Sequence, residues 1–282
     1  MECDCDYILP TIDGWEEHYQ NCSTRWLKDH GTEPLKNSDG TFRLRNKHLT
    51  RLTRDVLYHL GFDNEHYDLP AMFGDVKHGM GIPSMTILLQ EVIKLLSYAK
   101  ARDPIIIRIG TSGGLNIPPG SVVISSWGLN GTLKKSYDIP VMGKIMEIPS
   151  IFDKRLNQEL LHLASEEKGF STFIGGTMAA DDFYQGQARL DGPFCDYTES
   201  DKVSFLKALV ELGVKNIEME ATAFAAFTRE AGLRSADVCV TVINRLEQDQ
   251  VTPSKSVLLE WQERPMVIIG KYISKYYERI NK

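Results

Sequence analysis

An arginine inside an apolar run, with hydroxyls and glycines directly after it, is the most chemically suggestive stretch of this 282-residue chain. In Ile107-Arg108-Ile109-Gly110-Thr111-Ser112-Gly113-Gly114 the cation ends a β-branched strand. A charge there is costly unless an anion or a carboxylate meets it. The glycines that follow let backbone amides come close to a ligand. Guanidinium, hydroxyl and exposed amides together suit a phosphate. A strand-end arginine paired with an acid, followed by an ordinary turn, is the plainer alternative, and these residues alone leave both open.

Two further clusters have chemical content. In Phe183-Tyr184-Gln185-Gly186-Gln187-Ala188-Arg189, Gln187 offers an acceptor and donors, and Arg189 offers only donors. Two residues apart in an extended loop, they could face one ring, and the carbonyls and N–H along the edge of a pyrimidine-dione would complement them. A buried amide discriminates sharply, because a mismatched ligand leaves it unpaired; a solvated loop with a chance Gln and Arg is the competing reading. In Asn216-Ile217-Glu218-Met219-Glu220, two carboxylates flank a methionine where a strand passes into a helix of small residues. A carboxylate there can hold the vicinal hydroxyls of a sugar, with methionine as adaptable apolar contact. Simple favourable placement of Glu220 at a helix N-terminus is the rival explanation.

Strands and helices that would position these clusters are legible from His78 onward. Pro83 and Ser84 open a helix with Met85, Leu88, Leu89, Val92, Leu95, Leu96 and Ala99 on one face. Strands are expected at 105–109, 121–124, 172–174, 214–217 and 237–243, and helices at 153–167, 202–212, 221–231 and 257–280. Such alternation with short links implies one α/β domain with helices on the faces of its sheet. Before it, residues 1–47 read as a polar arm, and Leu49, Leu52, Val56, Leu57 and Leu60 give 48–60 a helical spacing.

The composition is 42% hydrophobic and 25% charged, that of an ordinary globular protein. A formal net charge of -6 argues against a surface that coats nucleic acid or anionic membrane. The acidic N-terminus lacks a signal-peptide pattern, and no apolar run could span a bilayer. Five cysteines without a paired framework read as reduced thiols in a cytoplasmic protein. Cys3 and Cys5 with His18 could in principle catch a metal, but a frayed terminus is the preferred reading, so no metal site is expected.

Taken in order, His78-Gly-Met-Gly-Ile-Pro-Ser84, Arg108-Ile-Gly-Thr-Ser-Gly-Gly114, Asp182-Phe-Tyr-Gln-Gly-Gln-Ala-Arg-Leu-Asp-Gly192, Asn216-Ile-Glu-Met-Glu220 and Val242-Ile-Asn-Arg245 resemble the motifs of the uridine phosphorylases, animal type, within the nucleoside phosphorylases. The resemblance covers residues 48–282 and implies a single α/β domain with a mixed twisted β-sheet flanked by helices. It implies reversible phosphorolysis of uridine to uracil and ribose 1-phosphate, with phosphate as co-substrate and no metal or organic cofactor. Arg108 and Thr111 would then bind phosphate; Glu220, Met219 and Glu218 the ribose; and Gln187, Arg189, Phe183 and Arg245 the uracil side. Arg189, Gln187 and Arg108 would form the catalytic set. His59 matches a histidine that reaches the ribose of a neighbouring subunit, which implies a homodimer with shared sites; partners would otherwise be the small-molecule nucleoside and phosphate, without nucleic acid or membrane.

The sequence departs from the pattern at one place. Lys77 is followed directly by His78, where intact relatives carry a glycine-rich strand-turn, two further phosphate-binding arginines and a strand. A clean join between two well-matched segments is what a skipped exon would leave, with N-terminal strands missing from the sheet and each lost phosphate contact weakening binding by a few kcal/mol. Two other readings stay open on the sequence: a silent subunit that binds nucleoside or pairs with an active partner, and a nucleosidase that uses water.

Overall fold

The computed structural model describes residues 37–42, 44, 56–57, 62–63 and 78–280. Two short strands, β1 (Val56–Leu57) and β2 (Phe62–Asp63), pair antiparallel. The helix expected over 48–60 therefore does not continue through Val56 and Leu57. Leucines a few residues apart satisfy a helical spacing over so short a run without requiring a helix, and β-branched Val56 also favours extended backbone. Within the stretch read as a polar arm, Phe42 is buried with Met85, Leu89 and Phe224, and its amide donates to the Ala101 carbonyl at 2.7 Å. A lone aromatic among polar residues carries no periodicity that would have announced this.

From Ile82 the order is α1 (Ile82–Tyr98), β3 (Ile105–Gly114), β4 (Val122–Leu129), β5 (Ser136–Val141), β6 (Lys144–Pro149), α2 (Lys154–Ala164), β7 (Thr172–Ala179), α3 (Glu199–Glu211), β8 (Val214–Glu218), α4 (Ala221–Glu230), β9 (Arg234–Asn244) and α5 (Lys255–Ile280). The expected α/β domain is present, and its mixed sheet closes on itself as a five-stranded barrel in the order β3-β8-β7-β4-β9. β3 runs parallel to β9 along Ile105–Gly114 and antiparallel to β8 at Gly113 and Gly114, with a register shift against β9 between Ser112 and Gly113, just where the second neighbour is met. That closure explains why Gly110–Gly114 is strand rather than the loop expected: the barrel needs those residues to reach β8 at Ile217 and Asn216.

Three apolar clusters hold helices against the barrel. Met85, Leu89 and Ile93 of α1 meet Ala221, Phe224 and Ala225 of α4. Leu156 and Leu160 of α2 and Ile268 and Tyr272 of α5 cover Val122, Ile124 and Val238. Leu206 and Leu209 of α3 cover Met178, Val214 and Ile217. Each fully buried side chain of this kind contributes roughly 1.5–3 kcal/mol relative to leaving it in water. The β5–β6 hairpin was not legible in advance; its turn places Met142 and Gly143 at positive φ, and Tyr137 at its root packs edge-on to Phe227. Among the described residues no helix is long and apolar enough to cross a membrane.

Candidate active site

Against the bare side of β3 lies a cavity of about 750 Å³. β3 pairs with β9 along Ile105–Gly114 but with β8 only at Gly113 and Gly114. Among the described residues its second edge from Ile105 to Ser112 has no strand partner, and Ile106 through Gly113 line the cavity continuously. The same cavity is lined by Arg108 and Thr111 from β3, Glu218, Met219 and Glu220 from the β8–α4 junction, Phe183, Gln187 and Arg189 from the loop after β7, and Arg245 after β9. Every candidate side chain read from the sequence among the described residues thus borders one space. His59 lies outside the described residues.

Arg108 is in mid-strand and only 8% exposed. Its Nη1 lies 2.8 Å from Asp237 Oδ1, 3.0 Å from Glu218 Oε2 and 3.3 Å from Cys239 Sγ, while its Nη2 donates to Glu220. Its Nε is buried without a hydrogen-bond partner. A Cβ at Gly110 would stand 3.0 Å from Nη2, so the missing side chain makes room for the guanidinium. The acids that meet Arg108 in this structure are buried ones. Burial works against the Arg108 charge, but Asp237, Cys239, Glu218 and Glu220 outweigh it and raise the pKa well above the usual arginine value. Burial also pushes Glu218 up to about 8, with Arg108 opposing and Asp237 and Glu220 adding to the rise. Glu218 accepts from the amides of Glu220 (2.8 Å) and Ala221 (2.9 Å), so it caps the start of α4. Glu220 accepts from the Gly81 amide and from Arg108, which ties the approach to α1 to the same cluster.

The loop after β7, which also borders the cavity, is not extended as expected. Gln185–Gln187 forms a 3₁₀ turn, and Ala188 takes a left-handed conformation at φ 51. Asp182 imposes this by accepting from the amides of Tyr184 (2.8 Å) and Gly186 (3.0 Å), a local bond that competes with extended backbone. Gln187 and Arg189 nevertheless both reach the cavity. Arg189 lies 4.5 Å over the Phe183 ring and is held by Asp191 through two bonds of 2.8 and 2.6 Å; the bond from Arg189 lowers the Asp191 pKa. Arg245, 1% exposed, donates from Nη1 to Gln187 Oε1 at 3.1 Å and from Nη2 to the Gln187 carbonyl at 2.8 Å. An arginine only donates, so the Gln187 oxygen is committed and its NH₂ is the end free for a ligand. Asp249 secures Arg245 from behind and is itself held by Lys202 at 2.8 Å.

Sequence reasoning missed three parts of this arrangement: Asp237, the Asp249–Lys202 brace and the Gly81 amide. Asp237 gave a usable signal, since an acid inside an apolar strand must find a cation or carry a proton.

The sequence pattern of the Phosphorylase superfamily matches residues 76–273. The chain belongs to this family, on its uridine phosphorylase branch. It is 41% identical to the uridine and thymidine phosphorylase of Caenorhabditis elegans, over 79% of this chain and 91% of that protein. To uridine phosphorylase 1 of Mus musculus it is 37% identical, over 84% and 94%. The crystal structure of uridine phosphorylase from Schistosoma mansoni in complex with thymidine superposes with a TM-score of 0.78 at 34% identity, covering 84% of this chain and 99% of that one. A second Schistosoma mansoni relative, 32% identical over 82% of this chain and 95% of its own length, is described as inactive uridine phosphorylase B. Likeness of this order accompanies activity kept and activity lost, so the side chains of the site carry the decision. The match to the Caenorhabditis elegans protein runs over 270 positions while taking in 79% of a 282-residue chain, which leaves several tens of positions without a residue here.

Proposed function

We propose that this chain catalyses the reversible phosphorolysis of uridine, breaking the bond from C1′ to N1 of uracil and joining C1′ to a phosphate oxygen, as part of pyrimidine nucleoside salvage. The observation that carries the reading is the single cavity that Arg108, Thr111, Glu220, Met219, Gln187 and Arg189 all line. Negative charge develops on the departing uracil, and donors already aimed at its carbonyls stabilise that charge without reorganising, an effect worth several kcal/mol. Arg189 and the NH₂ of Gln187 serve this purpose. Phe183, stacked with Arg189, packs against the nucleoside. Glu220 holds the ribose hydroxyls and Met219 its apolar side, while Glu218 fixes the junction both stand on. In this reading Arg245 acts behind Gln187 rather than on uracil directly.

Phosphate enters beside Arg108, and the guanidinium must trade carboxylate contacts for phosphate oxygens. A phosphate site short of other arginines predicts a high KM for phosphate rather than an altered reaction. The join at 77/78 belongs to the same reading: the edge of β3 without a strand partner among the described residues and the tens of unmatched positions both support a missing segment. Recovering that coding segment from the genomic locus is the check on the skipped-exon account, and its absence would defeat it. A homodimer with sites shared through His59, in the cytoplasm and with no cofactor besides phosphate, completes the proposal.

Replacing Arg189 by Ala tests the site. Uracil release from uridine, followed by ultraviolet absorbance, is expected to fall at least about 100-fold, the scale of removing one preorganised donor. An Arg189→Ala protein with undiminished turnover would remove the uracil-binding assignment.

A further inference from the structure

Arg189 lines the cavity, yet what it can offer there is set by a neighbour that does not line it. The Asp191 carboxylate accepts from Nε at 2.8 Å through Oδ1 and from Nη2 at 2.6 Å through Oδ2. A guanidinium carries five hydrogens in one fixed plane. This two-point grip therefore leaves Nη1 and the second Nη2 hydrogen as the fork available to a ligand. The Phe183 ring lies 4.5 Å from the guanidinium carbon. Stacking of that kind sets the plane of the group but not its rotation within the plane. Rotation is what Asp191 settles.

The backbone of this segment is held without Asp191. The Arg189 carbonyl accepts from the Tyr197 hydroxyl at 2.6 Å, and the Leu190 amide donates to Asp249 at 3.1 Å. At Gly192 an added Cβ would stand 2.8 Å from Tyr184 Cβ, so the chain already lies tight against that side chain. The Asp191 side chain, 22% exposed, spends both oxygens on Arg189, and Gln250 from the segment after Arg245 donates to one of them as well. Charge gives a second reason for a carboxylate here. Burial lowers the Arg245 pKa and the like charge of Arg189 adds to the fall, with Asp249 and Asp191 opposing it. Two guanidiniums border one cavity, and Asp191 offsets their repulsion.

We propose that Asp191 is a positioning residue: it holds Arg189 rotated so that the free fork of the guanidinium meets a carbonyl of the pyrimidine base. The proposal deepens the phosphorolysis reading and rests on it only in taking a pyrimidine base as what Arg189 meets. Without the carboxylate, several rotations over Phe183 are open to the guanidinium, and binding a base must stop all but one.

The test is calorimetric titration of the full chain with uracil, for wild type, Asp191→Ala, Arg189→Ala and the double variant. Asp191→Ala is expected to fold, because Tyr197 and Asp249 hold the backbone. It is expected to bind uracil about tenfold more weakly, the effect of one misdirected charge-assisted hydrogen bond. Arg189→Ala is expected to lose at least as much. The double variant should bind no more weakly than Arg189→Ala, since a residue that acts through Arg189 has nothing to act on once it is gone. Formate, small enough for the space the Asp191 side chain leaves, is expected to restore uracil binding to Asp191→Ala and not to the double variant. Losses that add in the double variant, formate without effect on Asp191→Ala, or unchanged affinity in Asp191→Ala each overturn the proposal. So does an Asp191→Ala protein that unfolds, or a wild type that binds no uracil. The expected binding pattern in a wild type that releases no uracil from uridine leaves this inference standing and removes the phosphorolysis reading. Phosphorolysis by wild type with additive losses does the reverse.

Discussion

At the scale of single residues, the site is governed by where charge is forced to sit. Arg108 meets three acids in a buried space, and Glu218 is pushed up to about 8 by burial, from an ordinary value of 4.5. An acid whose pKa is higher folded than unfolded binds its proton more tightly in the native state. The associated stability is fully present below about pH 4.5 and is lost as pH rises through about 8. Denaturant unfolding across that window is expected to show stability declining with pH, and Glu218→Gln is expected to make the decline shallower by removing one acid from the coupled set. A wild-type profile flat through the window would contradict the burial argument. At this scale much was legible: Arg108, Thr111, Phe183, Gln187, Arg189, Met219 and Glu220 stood out by type and spacing, and all border one cavity. What could not be read was partnership. That Arg245 grips the Gln187 oxygen depends on two segments 58 residues apart meeting, and nothing local to either announces it.

Elements explain why those partners meet. Residues 110–114, beyond the strand expected at 105–109, are instead the second half of β3, because barrel closure requires Gly113 and Gly114 to pair with β8 while they remain paired with β9. Glycine spacing signals a close approach without saying what approaches. At Gly113 it is the Arg245 side chain, whose Cγ would stand 2.7 Å from an added Cβ. Gly113→Ala must displace Arg245, which loosens Gln187 as well as straining the barrel. We expect a loss of about 1–3 kcal/mol in unfolding free energy, the usual cost of overpacking a core, together with a raised KM for uridine. Unchanged stability and KM would show that Arg245 does not brace the loop. Helices were read more reliably than the hairpin of β5 and β6, since α1 and α2 each bury one apolar face whereas Val141, Met142, Ile145 and Met146 stay exposed and give no inward pattern.

For the whole molecule, the edge of β3 that has no strand partner among the described residues is the feature that most constrains behaviour. A strand with unpaired backbone groups and apolar side chains is a template for pairing with another chain. Ile109, 41% exposed on that edge, has little packing to lose. Ile109→Lys is therefore expected to change unfolding free energy by less than about 1 kcal/mol while reducing self-association in light scattering. A large loss of stability would mean that the edge is covered. The direct junction of Lys77 and His78 is legible in the sequence, although the barrel could not be drawn from strand lengths alone.

The account stands or falls on phosphate as the second substrate. Uracil formed from uridine should be measured against phosphate concentration, with ribose 1-phosphate quantified in the same samples. The account predicts that uracil release rises from near nothing with added phosphate, with one ribose 1-phosphate per uracil. Uracil released equally fast without phosphate, with free ribose as the other product, would contradict it.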